Sequence, residues 1–122
     1  MIVTMKKSKT RIVVQRGNEN IALRTDEIVM IYRNDALVKV VDKSDVKYIS
    51  HRTLSDLEEE LDYKIFFRLN RKYIVNINFI RSFKSLDRVK LEVSLHPPFD
   101  KIRLTVSQET APLFKKWIHD EV

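Results

Sequence analysis

Val89-Lys90-Leu91-Glu92-Val93-Ser94-Leu95 alternates apolar and polar residues without a break. A period of two marks a half-buried antiparallel strand, with one face on a core and the other in water. His96-Pro97-Pro98 closes the run, because proline has no N–H to give to a ladder. Ile102, Leu104 and Val106 then take up the same alternation. Towards the N-terminus, short runs rich in β-branched and aromatic residues succeed one another: 12–14, 21–23, 28–32, 37–41, 46–49, 64–68, 73–75 and 79–83. Turn residues bound them. Arg16-Gly17-Asn18-Glu19-Asn20 reads as a hairpin turn, since Gly17 and the asparagines tolerate positive φ. Arg33-Asn34-Asp35 reads as a second tight turn.

One helix interrupts the strands. Thr53 is its N-cap, with Asp56 in the reciprocal position of a capping box. Leu54, Leu57 and Leu61 follow at helical spacing. Asp56, Glu58, Glu59, Glu60 and Asp62 are expected to face water, and so to point away from any nucleic acid. Near the C-terminus Leu113, Phe114, Trp117 and Ile118 form the apolar stripe of a short docking helix, with Pro112 in its first turn. There is no βαβ rhythm. The predicted fold is mainly β, with antiparallel sheets, one short internal helix and a short C-terminal helix. Residues 1–9 read as a flexible lead-in and 10–122 as a single domain.

Charge is distributed unevenly along this chain. Residues 64–90 hold eight bases (Lys64, Arg68, Arg71, Lys72, Arg81, Lys84, Arg88, Lys90) and one acid, Asp87. Of the chain's 23 bases and 17 acids, that leaves 15 and 16 elsewhere, so the net +6 comes from one segment. A localised basic surface on a folded domain is the footprint of a phosphate-backbone binder.

Other chemistries find no support. Cysteine is absent, which removes disulfides, thiol catalysis and Cys-ligated metals, and fits a reducing, cytoplasmic setting. Gly17 is the only glycine, so no glycine-rich phosphate cradle exists. His51, His96 and His119 have no metal-ligand spacing, and no catalytic signature accompanies them. No apolar run approaches the roughly 20 residues of a membrane span. Met1 to Lys7 is charged too early for a signal peptide. No catalysis, metal or cofactor is expected.

The segment Phe66-Phe67-Arg68-Leu69-Asn70-Arg71-Lys72-Tyr73-Ile74-Val75-Asn76 is specific. It resembles the central motif of LytTR-type DNA-binding domains, the output domains of LytR/AlgR response regulators. That motif has aromatic-x-Arg, then His or Asn with Arg, a small or polar residue, an aromatic, two aliphatics and Asn. The context is similar too. Thr53 to Leu61 has the form Thr-Leu-x-x-Leu-x-x-x-Leu, and Ile80-Arg81 follows the motif. Pro97-Pro98-Phe99-Asp100, Val106-Ser107 and Phe114 to Ile118 resemble a Bacteroidetes variant. The resemblance covers residue 10 to about 118.

It implies sequence-specific binding of double-stranded DNA for bacterial transcription regulation, with loops rather than a recognition helix entering successive major grooves. The loops would be Arg33-Asn34-Asp35, Asn70-Arg71-Lys72 and the region of Ser107-Gln108. Arg71 can fork onto guanine O6 and N7, while Asn34, Asn70 and Gln108 carry amides suited to adenine. Lys72, Arg81 and Lys84 suit phosphates. Many family members have His at the place of Asn70 and Arg near that of Gln108. Two copies on a directly repeated site are implied. The chain is either free-standing or the output half of a response regulator whose receiver domain lies elsewhere in a longer parent.

Blander roles stand beside these. Arg68 and Asn76 read as stabilisers of a turn or strand edge. Tyr73 reads as core with its hydroxyl at the boundary. Arg33 is either a contact or a strand-end charge, and Ser107 either a contact or a helix cap. Two other functions stay open. An RNA-binding β domain would need at least two of Phe66, Phe67, Tyr73 and Phe79 exposed on one face for base stacking. A protein-interaction module would use the basic face against an acidic partner.

Overall fold

A computed structural model describes residues 7–87 and 90–121. Ten strands and two α-helices follow in chain order: β1 (Arg11–Arg16), β2 (Glu19–Arg24), β3 (Ile28–Asn34), β4 (Leu37–Asp42), β5 (Lys47–Ser50), α1 (Leu54–Glu60), β6 (Phe66–Arg68), β7 (Tyr73–Asn76), β8 (Ile80–Ser85), β9 (Leu91–Leu95), β10 (Leu104–Val106) and α2 (Ala111–Glu121). Seven strands form one sheet in the order β2-β1-β5-β4-β3-β7-β6, and three form a second, β10-β9-β8. All pairings are antiparallel, as the alternating pattern predicts.

The large sheet carries a core on each face. Ile31 sits across from Val40 and Ile74, and these three join Leu54, Leu57 and Leu61 of the α1 region in one core. One step along, Met30 sits across from Val41 and Val75, which face the small sheet and α2. β3 is covered on both sides, which is why its Ile28-Val29-Met30-Ile31 is continuously apolar. On the small sheet Leu91, Val93 and Leu95 point inward, as their alternation requires. Lys90 has no strand assignment, and Val89 and Arg88 lie outside the described residues.

Several element boundaries shift from the sequence reading, each for a local reason. The first hairpin turn narrows to Gly17-Asn18, with Gly17 at φ +59°. β3 runs on through Arg33 and Asn34, because Asn34 pairs with Leu37. The turn is therefore Asp35-Ala36, with Asp35 at φ +54°. β5 starts at Lys47 because Asp42 Oδ1 accepts the N–H groups of Ser44 and Val46 and holds them in a turn. β6 starts at Phe66 because the amides of Ile65 and Phe66 donate back to the Asp62 carbonyl. Ile102 lies in a turn ahead of β10. On α2 the buried stripe is Ala111, Phe114, Trp117 and Ile118, while Leu113 is 62% exposed.

The predicted capping box of α1 is present. Thr53 Oγ1 accepts from the Asp56 amide at 3.0 Å, and Asp56 Oδ2 accepts from the Thr53 amide at 3.4 Å. The hydrogen bonds from Thr53 hold the Asp56 carboxyl below its ordinary pKa. A lowered folded-state pKa means that this contribution is present above the unfolded value and fades as pH falls through the folded one. Thr53→Ala is expected to cost about 1 kcal/mol of unfolding free energy. An unchanged urea midpoint would refute that. The acids of α1 do not all face water: Glu60 is largely covered and pairs with Lys9 and Arg52, and Asp56 and Asp62 are half-buried.

Candidate nucleic-acid interface

The loop between β6 and β7 is built by its own side chains. Leu69 is fully buried, and its amide donates to the Tyr73 carbonyl at 2.9 Å. Asn70 Oδ1 accepts the amides of Lys72 at 2.7 Å and Tyr73 at 3.1 Å, an Asx-type turn. Its Nδ2 donates to the Thr105 carbonyl of β10 at 2.7 Å, tying this loop to the small sheet. The Asn70 amide, expected to face adenine, therefore has both oxygen lone pairs and one hydrogen committed inside the protein, with one hydrogen left. Arg68 donates to the carbonyls of Asn70 and Arg71 from below. The Arg71 and Lys72 side chains stand exposed on this pinned turn, with no partner among the described residues.

The other loops converge on it. The Arg33 amide donates to the Lys72 carbonyl at 2.9 Å, which sets the β3–β4 turn beside the β6–β7 loop. Arg33 Nε donates to the Asp35 carbonyl at 3.0 Å. Before α2, the Ser107 carbonyl accepts the amides of Thr110 and Ala111, and Ser107 Oγ donates to Thr110 Oγ1 at 2.8 Å. Ser107 thus ties down the start of the helix, while Gln108 is exposed.

Asn70, Arg71, Lys72, Ser107 and Gln108 line one cleft of about 1180 Å³. Four further charges line it that the sequence reading did not select: Lys90, Arg103, Glu58 and Glu109. Lys90 belonged to the basic run, but Arg103 and Glu58 carried no local signal. Glu58 corrects the expectation that the acids of α1 turn away from this surface. Arg33 lies instead in a neighbouring hollow of about 460 Å³ with Arg52, and Arg68 lines both. Asn34, Asp35, Arg81 and Lys84 line neither. Asn34 and Asp35 are exposed at the β3–β4 turn. Lys84 is exposed across from Glu92, and Arg81 lies at the β8 bulge towards the Leu95 end.

Phe66, Phe67, Tyr73 and Phe79 are spent on packing, whereas Tyr63 is 71% exposed and lines the cleft. Phe66 is buried, and Phe67 packs on Phe114 and Trp117. Tyr73 stacks on Tyr32 with ring centroids 5.7 Å apart, and burial pushes its phenol pKa up, Tyr32 adding to the shift. Phe79 is partly buried against the core. Asn76 is fully buried: Nδ2 donates to the Ile28 carbonyl and Oδ1 accepts from the Asn78 amide.

Residues 18–119 match the family described as the LytTr DNA-binding domain. The transcriptional regulatory protein NatR of Bacillus subtilis (strain 168) is 26% identical over 107 residues, covering 84% of this chain and 46% of NatR. The heme-containing CO-sensing transcriptional regulator RcoM 1 of Paraburkholderia xenovorans (strain LB400) is 30% identical over 95 residues, covering 78% of this chain and 33% of RcoM 1. The chain thus spans less than half the length of these relatives. A LytTr DNA-binding domain from Bacillus cereus superposes with a TM-score of 0.79 at 21% identity, covering 91% of this chain and 98% of that one. The match over 18–119 places this chain in the LytTr DNA-binding domain family.

Proposed function

We propose that the domain reads double-stranded DNA sequence-specifically in the control of transcription, its loops entering successive major grooves. The observation that carries this is the β6–β7 turn, braced by bonds from Arg68 and Asn70 and presenting on a basic cleft Arg71 and Lys72, whose side chains have no partner among the described residues. Rigid backbone with free cationic tips is what direct readout needs. Arg71 is the guanine reader. Gln108 and the remaining hydrogen of Asn70 Nδ2 serve as amide contacts, with Asn34, Asp35 and Ser107 flanking. Lys72, Arg33, Arg81 and Lys84 hold phosphates. The role involves no catalytic step and no cofactor. Occupation of a directly repeated site by two copies, a receiver domain in a longer parent chain and a cytoplasmic setting belong to the same proposal. No helix among the described residues is long and apolar enough to cross a membrane. The packing of Phe66, Phe67 and Tyr73 supports duplex reading over RNA stacking.

The test is selection of bound sequences from a random duplex pool at about 0.15 M salt. A short repeated motif is the expected recovery. Retention of every sequence alike, with salt alone governing binding, would overturn the proposal and favour an acidic protein partner.

A further inference from the structure

We propose that Glu58 and Arg68 form a positioning relay, which fixes the backbone presenting Arg71 and sets sequence specificity without touching DNA. This rests on the reading role given to Arg71 above. Arg68 closes β6, and its side chain is only 25% exposed. Nε donates to the Asn70 carbonyl and Nη2 to the Arg71 carbonyl, both at 3.2 Å. These are the two successive carbonyls on which the Arg71 side chain is carried. Nη1 donates to Ser55 Oγ at 3.1 Å and to Glu58 Oε1 at 3.3 Å, both on α1. The planar guanidinium thus spans from a helix anchored in the core to the reading turn. Its donor fork matches two fixed acceptors in a way that the single ammonium of lysine does not.

A phosphate-binding arginine would keep its N–H groups for DNA. Here four of the five face protein acceptors. Glu58 makes the distinction sharper, because an acid lining a basic cleft opposes a polyanion. If it were only a misplaced charge, neutralising it would strengthen binding to every sequence alike. If it holds Arg68, neutralising it must blunt discrimination between sequences.

Wild type, Arg68→Lys, Arg68→Gln and Glu58→Gln should be titrated with the selected duplex and with a random-sequence duplex over a range of salt. Arg68→Lys is expected to lower the ratio of specific to non-specific affinity about tenfold, as loss of a charge-assisted bond would. Glu58→Gln lowers the same ratio while non-specific affinity holds or rises. Arg68→Gln leaves the salt slope at the wild-type value. A slope smaller by about 0.9 would show Arg68 to be a phosphate contact and overturn the relay. So would a ratio that Glu58→Gln leaves intact. Hydrogen exchange without DNA gives a second reading: the amides of Lys72 and Tyr73, which donate to Asn70 Oδ1, should exchange faster in Arg68→Lys, with the protein still folded. Unchanged exchange overturns the relay on its own. Failure of the wild type to select any motif counts instead against the reading role of Arg71.

Discussion

Phe114→Ala is expected to remove about 3–5 kcal/mol of unfolding free energy, the cost of deleting a fully buried aromatic ring. Phe114 has no exposed surface, and it meets Phe83 of the small sheet and Phe67 of the large one edge-to-face, at 5.3 and 5.6 Å. Trp117 adds a tilted contact at 5.8 Å. The ring is therefore the rivet between the two sheets, and the cavity it leaves cannot collapse from one side alone. A domain of this size holds only about 5–15 kcal/mol in total, so the loss is a large share. Because Asn70, in the loop between β6 and β7 of the large sheet, is bonded to Thr105 of the small one, loosening the sheets should also weaken DNA binding. Urea denaturation measures the first effect. A loss below about 1.5 kcal/mol would mean that the sheets hold together by other contacts.

Arg71→Ala should weaken binding to the selected duplex by about 1–3 kcal/mol and relax the preference at one base position. Lys72→Gln, its neighbour, should weaken all sequences about equally and lower the salt slope by about one contact. The difference follows from the chemistry of two adjacent exposed side chains: a fork that can meet two acceptors on one base edge, and a point charge that cannot. Repeating the selection with each variant checks both. An Arg71→Ala protein that recovers the unchanged motif at lower yield would make Arg71 a phosphate contact.

How much of this was legible in the residues alone varies with the range of the interaction involved. The capping box at Thr53 and Asp56 and the turn at Gly17 are decided within a few residues and stand where the pattern put them, while the strand read over 89–95 is found at Leu91–Leu95. Boundaries moved where a side chain captured nearby amides, as Asp42 does for Ser44 and Val46, because periodicity does not see such bonds. Leu113 fits an apolar stripe by spacing but faces solvent, since the neighbours of α2 cover Ala111, Phe114, Trp117 and Ile118.

The sequence by itself determined an antiparallel β domain with two short helices, a basic segment around the β6–β7 turn, and the motif from Phe66 to Asn76. These follow from residue spacing, turn chemistry and local charge. Only the tertiary structure decided which charges share a surface. It brought Arg103 and Lys90 to the cleft, set Glu58 in its wall, left Arg81 and Lys84 outside it, and engaged Arg68 and Asn70 inside the protein. Those placements depend on sheet order and on long-range bonds such as that of Asn70 to Thr105, 35 positions away, which no local pattern encodes.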